Sequence, residues 1–154
     1  MERKFLLTLL LILIGLHTKA QLKTYSFEEV EELMVSAPKT MIVFIHTDWC
    51  KYCKAMQKST FSNTEVIRQL NENFYFVSFD AESRAPVRFQ NRTFDYVPNG
   101  PNSGLHDLAW HLGEIDGQIA YPTLSVLNSN FEIIFQYDSF IRPKKMLRLL
   151  DRLQ

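Results

Sequence analysis

The sequence predicts an α/β domain: a central mixed sheet, with a parallel core and an antiparallel hairpin at its edge, flanked by helices. Three observations carry this expectation. Residues 40–46 and 74–79 are continuous apolar, β-branched and aromatic runs, the pattern of strands buried on both faces. Segments with helical spacing lie before and between them. Residues 124–127 and 131–137 are two further strand runs joined by Asn128-Ser129-Asn130, which predicts a hairpin.

Each element has its own local reason. Ser26 followed by Glu29 forms a capping-box pattern, and Phe27, Val30, Leu33 and Met34 repeat at helical spacing, so a helix is expected that stops before Pro38. After the strand at 40–46, Lys54, Met56 and Lys58 continue a helix towards Phe61. Asn63 is a good cap for a second helix that carries Val66, Ile67 and Leu70 on one face. Residues 83–104 hold Pro86, Pro98, Gly100, Pro101 and Gly104 and read as a long irregular excursion, with a short extended pair at 87–89 and 93–96. A loop of that length in a small domain is often functional. Residues 105–112 read as a helix ended by Gly113, with Trp110 in the core. After Pro143 a closing helix turns Met146, Leu147 and Leu150 inward.

Composition bounds the function. The chain has 154 residues, 46% hydrophobic, 13% aromatic and 22% charged, enough for one domain with a genuine core. Formal net charge is zero, with no basic excess of the kind a nucleic-acid binder displays. Residues 1–20 form a separate unit: basic Arg3 and Lys4, an apolar run from Phe5 to Leu16, then Thr18-Lys19-Ala20. That is the layout of a secretory signal. The alternative is an uncleaved anchor, but the run falls short of the roughly 20 apolar residues that span a bilayer. The expected organisation is a signal peptide at 1–20 and one domain at 21–154, exported to the periplasm of a bacterial envelope as a monomer.

Export sharpens the reading of the cysteines. Small exported proteins use many cysteines as staples, whereas this chain has two, Cys50 and Cys53. A bridge closing so short a loop restrains the unfolded chain little, so a redox or metal role outweighs a structural one. A working dithiol needs two sulfurs within bonding reach and only one of them reactive. At the start of a helix, free N–H groups and the helix dipole favour a thiolate at Cys50, and Cys53 lies one turn further in as the resolving thiol. Lys51 adds a neighbouring positive charge, and Trp49 shields the sulfurs and offers a contact surface.

Trp49-Cys50-Lys51-Tyr52-Cys53-Lys54 after a buried strand resembles the active-site motif of the thioredoxin superfamily. Tyr121-Pro122-Thr123, just before the edge hairpin, matches the family's cis-proline position. The stretch 60–67, followed by Leu70-Asn71 and Phe74, is similar to exported bacterial thioredoxin-like proteins. Asp48-Trp49-Cys50 is similar to the C-terminal domain of membrane thiol-reductant carriers. The resemblance implies a thioredoxin fold with an insertion at about 83–119, a thiol:disulfide interchange activity, and a cis peptide that sets the Tyr121 backbone beside the dithiol for substrate pairing. It implies catalysis by Cys50 and Cys53, with Trp49, Lys51, Tyr52, Tyr121 and Pro122 shaping the substrate site. The redox-active disulfide takes the place of a cofactor, no metal is called for, and protein thiols and a membrane thiol-reductant donor are the expected partners. There is one departure: the family's buried acid, six positions before the first cysteine, is Phe44 here, so its proton-transfer role falls to water or another group.

Other readings use the same residues. Two thiolates with His46 suit Cu(I) or Zn(II) handling, and the frame also suits a redox-inert binding protein. His106 and His111 lie five apart, a poor spacing for metal ligands on a helix, while Asp107 and His111 suit a helix-face pair. Phe89, Phe94 and Tyr96 read either as a partner surface or as packing of the excursion onto the body. Asn91-Arg92-Thr93 matches a glycosylation sequon.

Overall fold

The computed structural model describes residues 21–154, so the expected signal segment at 1–20 lies outside the described residues. Helix α1 (Phe27–Ser36) begins as the capping box requires. The Ser26 side chain accepts from the Glu29 N–H, and the Glu29 carboxylate accepts from the Ser26 N–H at 2.7 Å. Strand β1 (Thr40–His46) buries five consecutive residues. Helix α2 (Lys51–Ser59) follows, then α3 (Thr64–Asn73), whose Asn63 cap accepts from the N–H groups of Glu65 and Val66. Strand β2 (Phe74–Asp80) comes next.

The excursion is more regular than expected, because three short hairpins organise it. Strand β3 (Val87–Phe89) pairs with β4 (Arg92–Phe94), not with 93–96. Gln90 and Asn91, at φ 51° and 59°, make the two-residue turn that matches strand twist. Asn91 of the sequon is exposed in that turn. Strand β5 (Tyr96–Pro98) pairs with β6 (Gly104–His106). Gly104 is required there: a Cβ would stand 2.4 Å from the Tyr96 ring and 2.6 Å from the Val97 carbonyl oxygen.

Helix α4 (Asp107–Gly113) therefore starts two residues later than its pattern suggests, since Leu105 and His106 belong to β6 and the His106 ring caps the helix. Strands β7 (Glu114–Ile115) and β8 (Gln118–Ile119) form a third hairpin through Asp116 and Gly117, both at positive φ. Strand β9 (Thr123–Leu127), strand β10 (Ile133–Tyr137) and helix α5 (Pro143–Arg152) complete the chain.

The main sheet runs β10-β9-β1-β2. The parallel core is the single pair β1/β2, in register from Thr40 opposite Phe74 to His46 opposite Asp80. Strand β9 runs antiparallel to β1, and β10 antiparallel to β9 with an irregularity between Ile133 and Phe135. Strand alternation divides the core into two layers. Met41, Val43 and Ile45 pack with α1, α4 and the first hairpin. Ile42 and Phe44 pack with Cys50, Cys53, Met56 and the inner faces of α3 and α5.

The excursion is fixed to the body by packing and backbone capping. Phe89 and Phe94 are buried, with the Phe89 ring 5.2 Å from that of Phe27, so these two rings are core and not a partner surface. Tyr96 is half-buried beneath Arg84, 5.1 Å from its ring centroid. Glu28 and Glu31 on α1 accept from the N–H groups of Arg88 and Gln90 at 3.0 and 2.7 Å. Trp110, expected in the core, is 39% exposed, because Leu108, Ala109 and Leu112 at helical spacing form the inward face of α4 and Trp110 lies off it.

His106 is fully buried against Phe79. Its Nδ1 accepts from the Leu108 N–H, which leaves Nε2 to donate to the Ala85 carbonyl at 3.1 Å. That pattern requires a neutral ring, and burial pushes its pKa below the ordinary 6.5. The unfolded chain therefore binds a proton that the folded chain resists. This contribution to stability is full above about pH 6.5 and is lost as pH falls from there towards the lower folded pKa. Denaturant titrations from about pH 7.5 down to pH 5 are expected to show a smaller loss of stability for His106→Asn than for the native chain. His111, by contrast, stands outside and pairs with Asp107 at 3.6 Å.

Candidate active site

The site forms where β1 ends and α2 begins. The Thr47 carbonyl accepts from the Cys50 N–H at 3.2 Å, a tight turn that places Cys50 as the cap of α2. Cys50 and Cys53 are joined in a disulfide with Cα atoms 5.2 Å apart. The Cys53 N–H points at the Cys50 sulfur, 3.0 Å away. A free N–H and the positive end of a helix both favour negative charge at that sulfur. The first turn of α2 holds no acidic side chain that would oppose it. Cys53 is 1% exposed and Cys50 4%, so the outer sulfur is the one nearer to solvent.

Exposed aromatic rings flank the sulfurs. Trp49 is 63% exposed and Tyr52 69%, and Lys51 is exposed beside them. Across the site the Tyr121–Pro122 peptide is cis, as the sequence led one to expect. Tyr121 packs against both core layers, including the one that holds the two cysteines. Its ring meets Trp49 edge-on at 5.8 Å. The structure thus brings Trp49, Cys50, Cys53, Tyr121 and Pro122 to one end of the sheet, with Lys51 and Tyr52 on the adjoining first turn of α2.

Two site residues carry no motif and escape a reading of the sequence. The Trp49 indole N–H donates to the Glu82 carboxylate at 3.0 Å. Glu82 is in turn held by the Asp80 carboxylate, which accepts its backbone N–H at 3.0 Å. Asp80 ends β2 and Glu82 lies two residues beyond it, next to the C-terminal end of β1, where parallel strands place their functional loops. The only sequence signal for them is that position. Burial, reinforced by Glu82 and Asp80, pushes the Tyr121 phenol up to about 12, so it stays protonated and uncharged.

Behind the dithiol, Phe44 is buried and its ring meets Phe61 at 4.8 Å. His46 lies on the same strand face, stacked on Phe44, with Nε2 3.0 Å from the Ser78 hydroxyl. Burial lowers its pKa, against the opposing pull of Asp80 and Asp48. Among the described residues no three His, Cys, Asp or Glu side chains cluster in a way that could hold a metal ion.

A four-stranded mixed sheet, a Cys-x-x-Cys disulfide capping a helix, and a cis-proline opposite it define a thioredoxin-fold protein. A family profile described as thioredoxin-like matches residues 24–99. The chain thus has the thioredoxin fold and is similar to that family over those residues. Solved structures agree on the fold. DsbH oxidoreductase is 17% identical, with TM-score 0.60, covering 87% of this chain and 85% of its own. A thioredoxin from Thermus thermophilus is 20% identical, with TM-score 0.60 and 86% of each chain covered. The oxidised DsbD C-terminal domain of Neisseria meningitidis is 16% identical, with TM-score 0.56, covering 86% of this chain and all of that one (100%). Curated protein sequences return no match.

Proposed function

We propose that this protein is a thiol–disulfide oxidoreductase acting on protein thiols and disulfides in the cell envelope. The observation that carries the reading is the Cys50–Cys53 disulfide seated at the start of α2, with the Cys53 N–H on the outer sulfur. In the reducing direction, the Cys50 thiolate attacks a substrate disulfide. A mixed disulfide forms and one substrate thiolate leaves. The Cys53 thiolate then attacks Cys50, releasing the second substrate thiolate and closing the Cys50–Cys53 bond. Two electrons pass to the substrate. The reverse sequence oxidises substrate thiols.

Trp49, Lys51, Tyr52, Tyr121 and Pro122 form the surface on which the substrate chain rests, with Trp49 oriented by Glu82. The dithiol is itself the redox centre, so the reaction calls for no bound cofactor. The layout of residues 1–20 supports export to the periplasm. An oxidising compartment does not keep a dithiol reduced. Reductase action there needs a membrane thiol-reductant donor, and the likeness to the DsbD C-terminal domain supports such a partner.

Reduction of insulin by dithiothreitol provides the test. Catalytic amounts of the protein are expected to bring forward the precipitation of the released insulin chain. Precipitation at the rate of dithiothreitol alone would refute the reading.

A further inference from the structure

The free edge of the sheet, far in sequence from the dithiol, carries a second built surface. Among the described residues, strand β10 pairs only with β9, and no other backbone group bonds to residues 133–137. Ile133 and Ile134 on this edge are 41% and 51% exposed. An unprotected edge with apolar side chains is a template for one more strand. Helix α5 overhangs it, and the groove between them, about 400 Å³, has Phe135, Tyr137 and Leu149 in its floor.

The rim of this groove is wholly cationic. Lys145, Arg148 and Arg152, one or two turns apart on α5, line it. None of the three forms an ion pair among the described residues. Lys145 is held over the groove by the Tyr137 hydroxyl at 2.7 Å, 4.0 Å from the ring centroid. Arg148 reaches only the Lys144 carbonyl, at 3.4 Å. Asp151, the nearest acid on the helix, is turned away and accepts from Gln69 on α3.

We propose that this groove binds an extended acidic segment of a partner protein, which adds a strand to β10. Backbone pairing with the edge supplies affinity, and the face of the added strand turned towards α5 carries both the apolar side chains that pack on Phe135, Tyr137 and Leu149 and the carboxylates that meet the three cations. A second copy of this chain is the poorer occupant. Antiparallel pairing of two β10 edges would bring two cationic helices to the same side of the joint sheet, and like charges there oppose association. The proposal does not rest on the dithiol reading, and Cys50→Ser is expected to bind as the native protein does.

The probe is a short fluorescent peptide with valine and glutamate in turn on one strand face and threonine on the other (Val-Thr-Glu-Thr-Val-Thr-Glu), added to isotope-labelled protein. Saturable binding that weakens with salt is expected, with amide shifts in residues 133–137 and along α5. The double variant Arg148→Glu/Arg152→Glu, changed only at exposed positions, is expected to lose binding by at least about tenfold and to gain it for the same peptide with lysine in place of glutamate. Absence of saturable binding, shifts confined to the surroundings of Trp49 and Pro122, or equal binding of both peptides to the native protein would overturn the proposal. So would displacement of the peptide by dodecanoate or by vesicles of anionic lipid, or a dimer in sedimentation that the double variant abolishes.

Discussion

Cys50→Ser is expected to reduce disulfide exchange to the uncatalysed background, while Cys53→Ser is expected to accumulate a covalent mixed disulfide with substrate. The asymmetry follows from position. Cys50 caps α2, takes the Cys53 N–H and is the less buried of the two sulfurs. It is the one a substrate can meet. A serine hydroxyl in its place can accept the same N–H but is a far weaker nucleophile than a thiolate. Cys53 is enclosed by the Phe44 layer and has only Cys50 to attack. Without it the first step proceeds and the second cannot. The check is a non-reducing gel of protein mixed with a disulfide substrate, beside the insulin rate. A dithiothreitol-sensitive adduct with Cys53→Ser and none with Cys50→Ser is the expected result. Equal adducts with both variants would contradict the assigned roles.

Phe44→Ala is expected to be the most damaging core substitution near the site, with a loss of about 3–5 kcal/mol in denaturant titration. Phe44 is 1% exposed, lies between the strands and the cysteine-bearing helix, and meets Phe61 and His46 ring to ring. Truncation leaves a cavity that the paired strands around it cannot collapse to fill. Such a loss is a large share of the roughly 5–15 kcal/mol that holds a domain folded. Because Cys50 and Cys53 share that layer, exchange activity is expected to fall with stability. Phe44→Asp is expected to be worse still, since it buries a carboxylate that has no cationic partner in this layer. A loss below about 1 kcal/mol for Phe44→Ala, less than large aromatic truncations cost in cores, would mean that the ring is not packed as described.

The central frame was legible because its signals are local. A capping serine three residues before a glutamate, an apolar run long enough for one strand, and a cysteine at a strand end each state their role within a few positions. Of the site's two halves, Cys50 with Cys53 was readable for the same reason, and Tyr121 with Pro122 through the resemblance of Tyr121-Pro122-Thr123 to a family motif. Less was legible where one element's start depends on another's partner. His106 belongs to β6 because Tyr96 lies opposite it, so α4 starts two residues after the helical pattern does. The hairpin at Asp116-Gly117 does have a local signal, an Asp-Gly pair that suits a two-residue turn with both residues at positive φ. Glu82 had only its place after a strand end: its role comes from the Trp49 indole arriving from another strand end, a contact that no spacing encodes.

The account stands on the Cys50–Cys53 pair as a reversible redox centre. Equilibration of the protein in glutathione buffers of graded poise, followed by Trp49 fluorescence in a Trp110→Phe background, tests that claim most directly. A single reversible two-electron transition, absent from Cys50→Ser, is the predicted result. Its midpoint also gives the direction of flow, with a value near −270 mV marking a reductase and one near −120 mV an oxidase, the potentials of about those sizes that thioredoxin and DsbA show. Fluorescence that does not respond to poise, or a transition that survives in Cys50→Ser, would contradict the account.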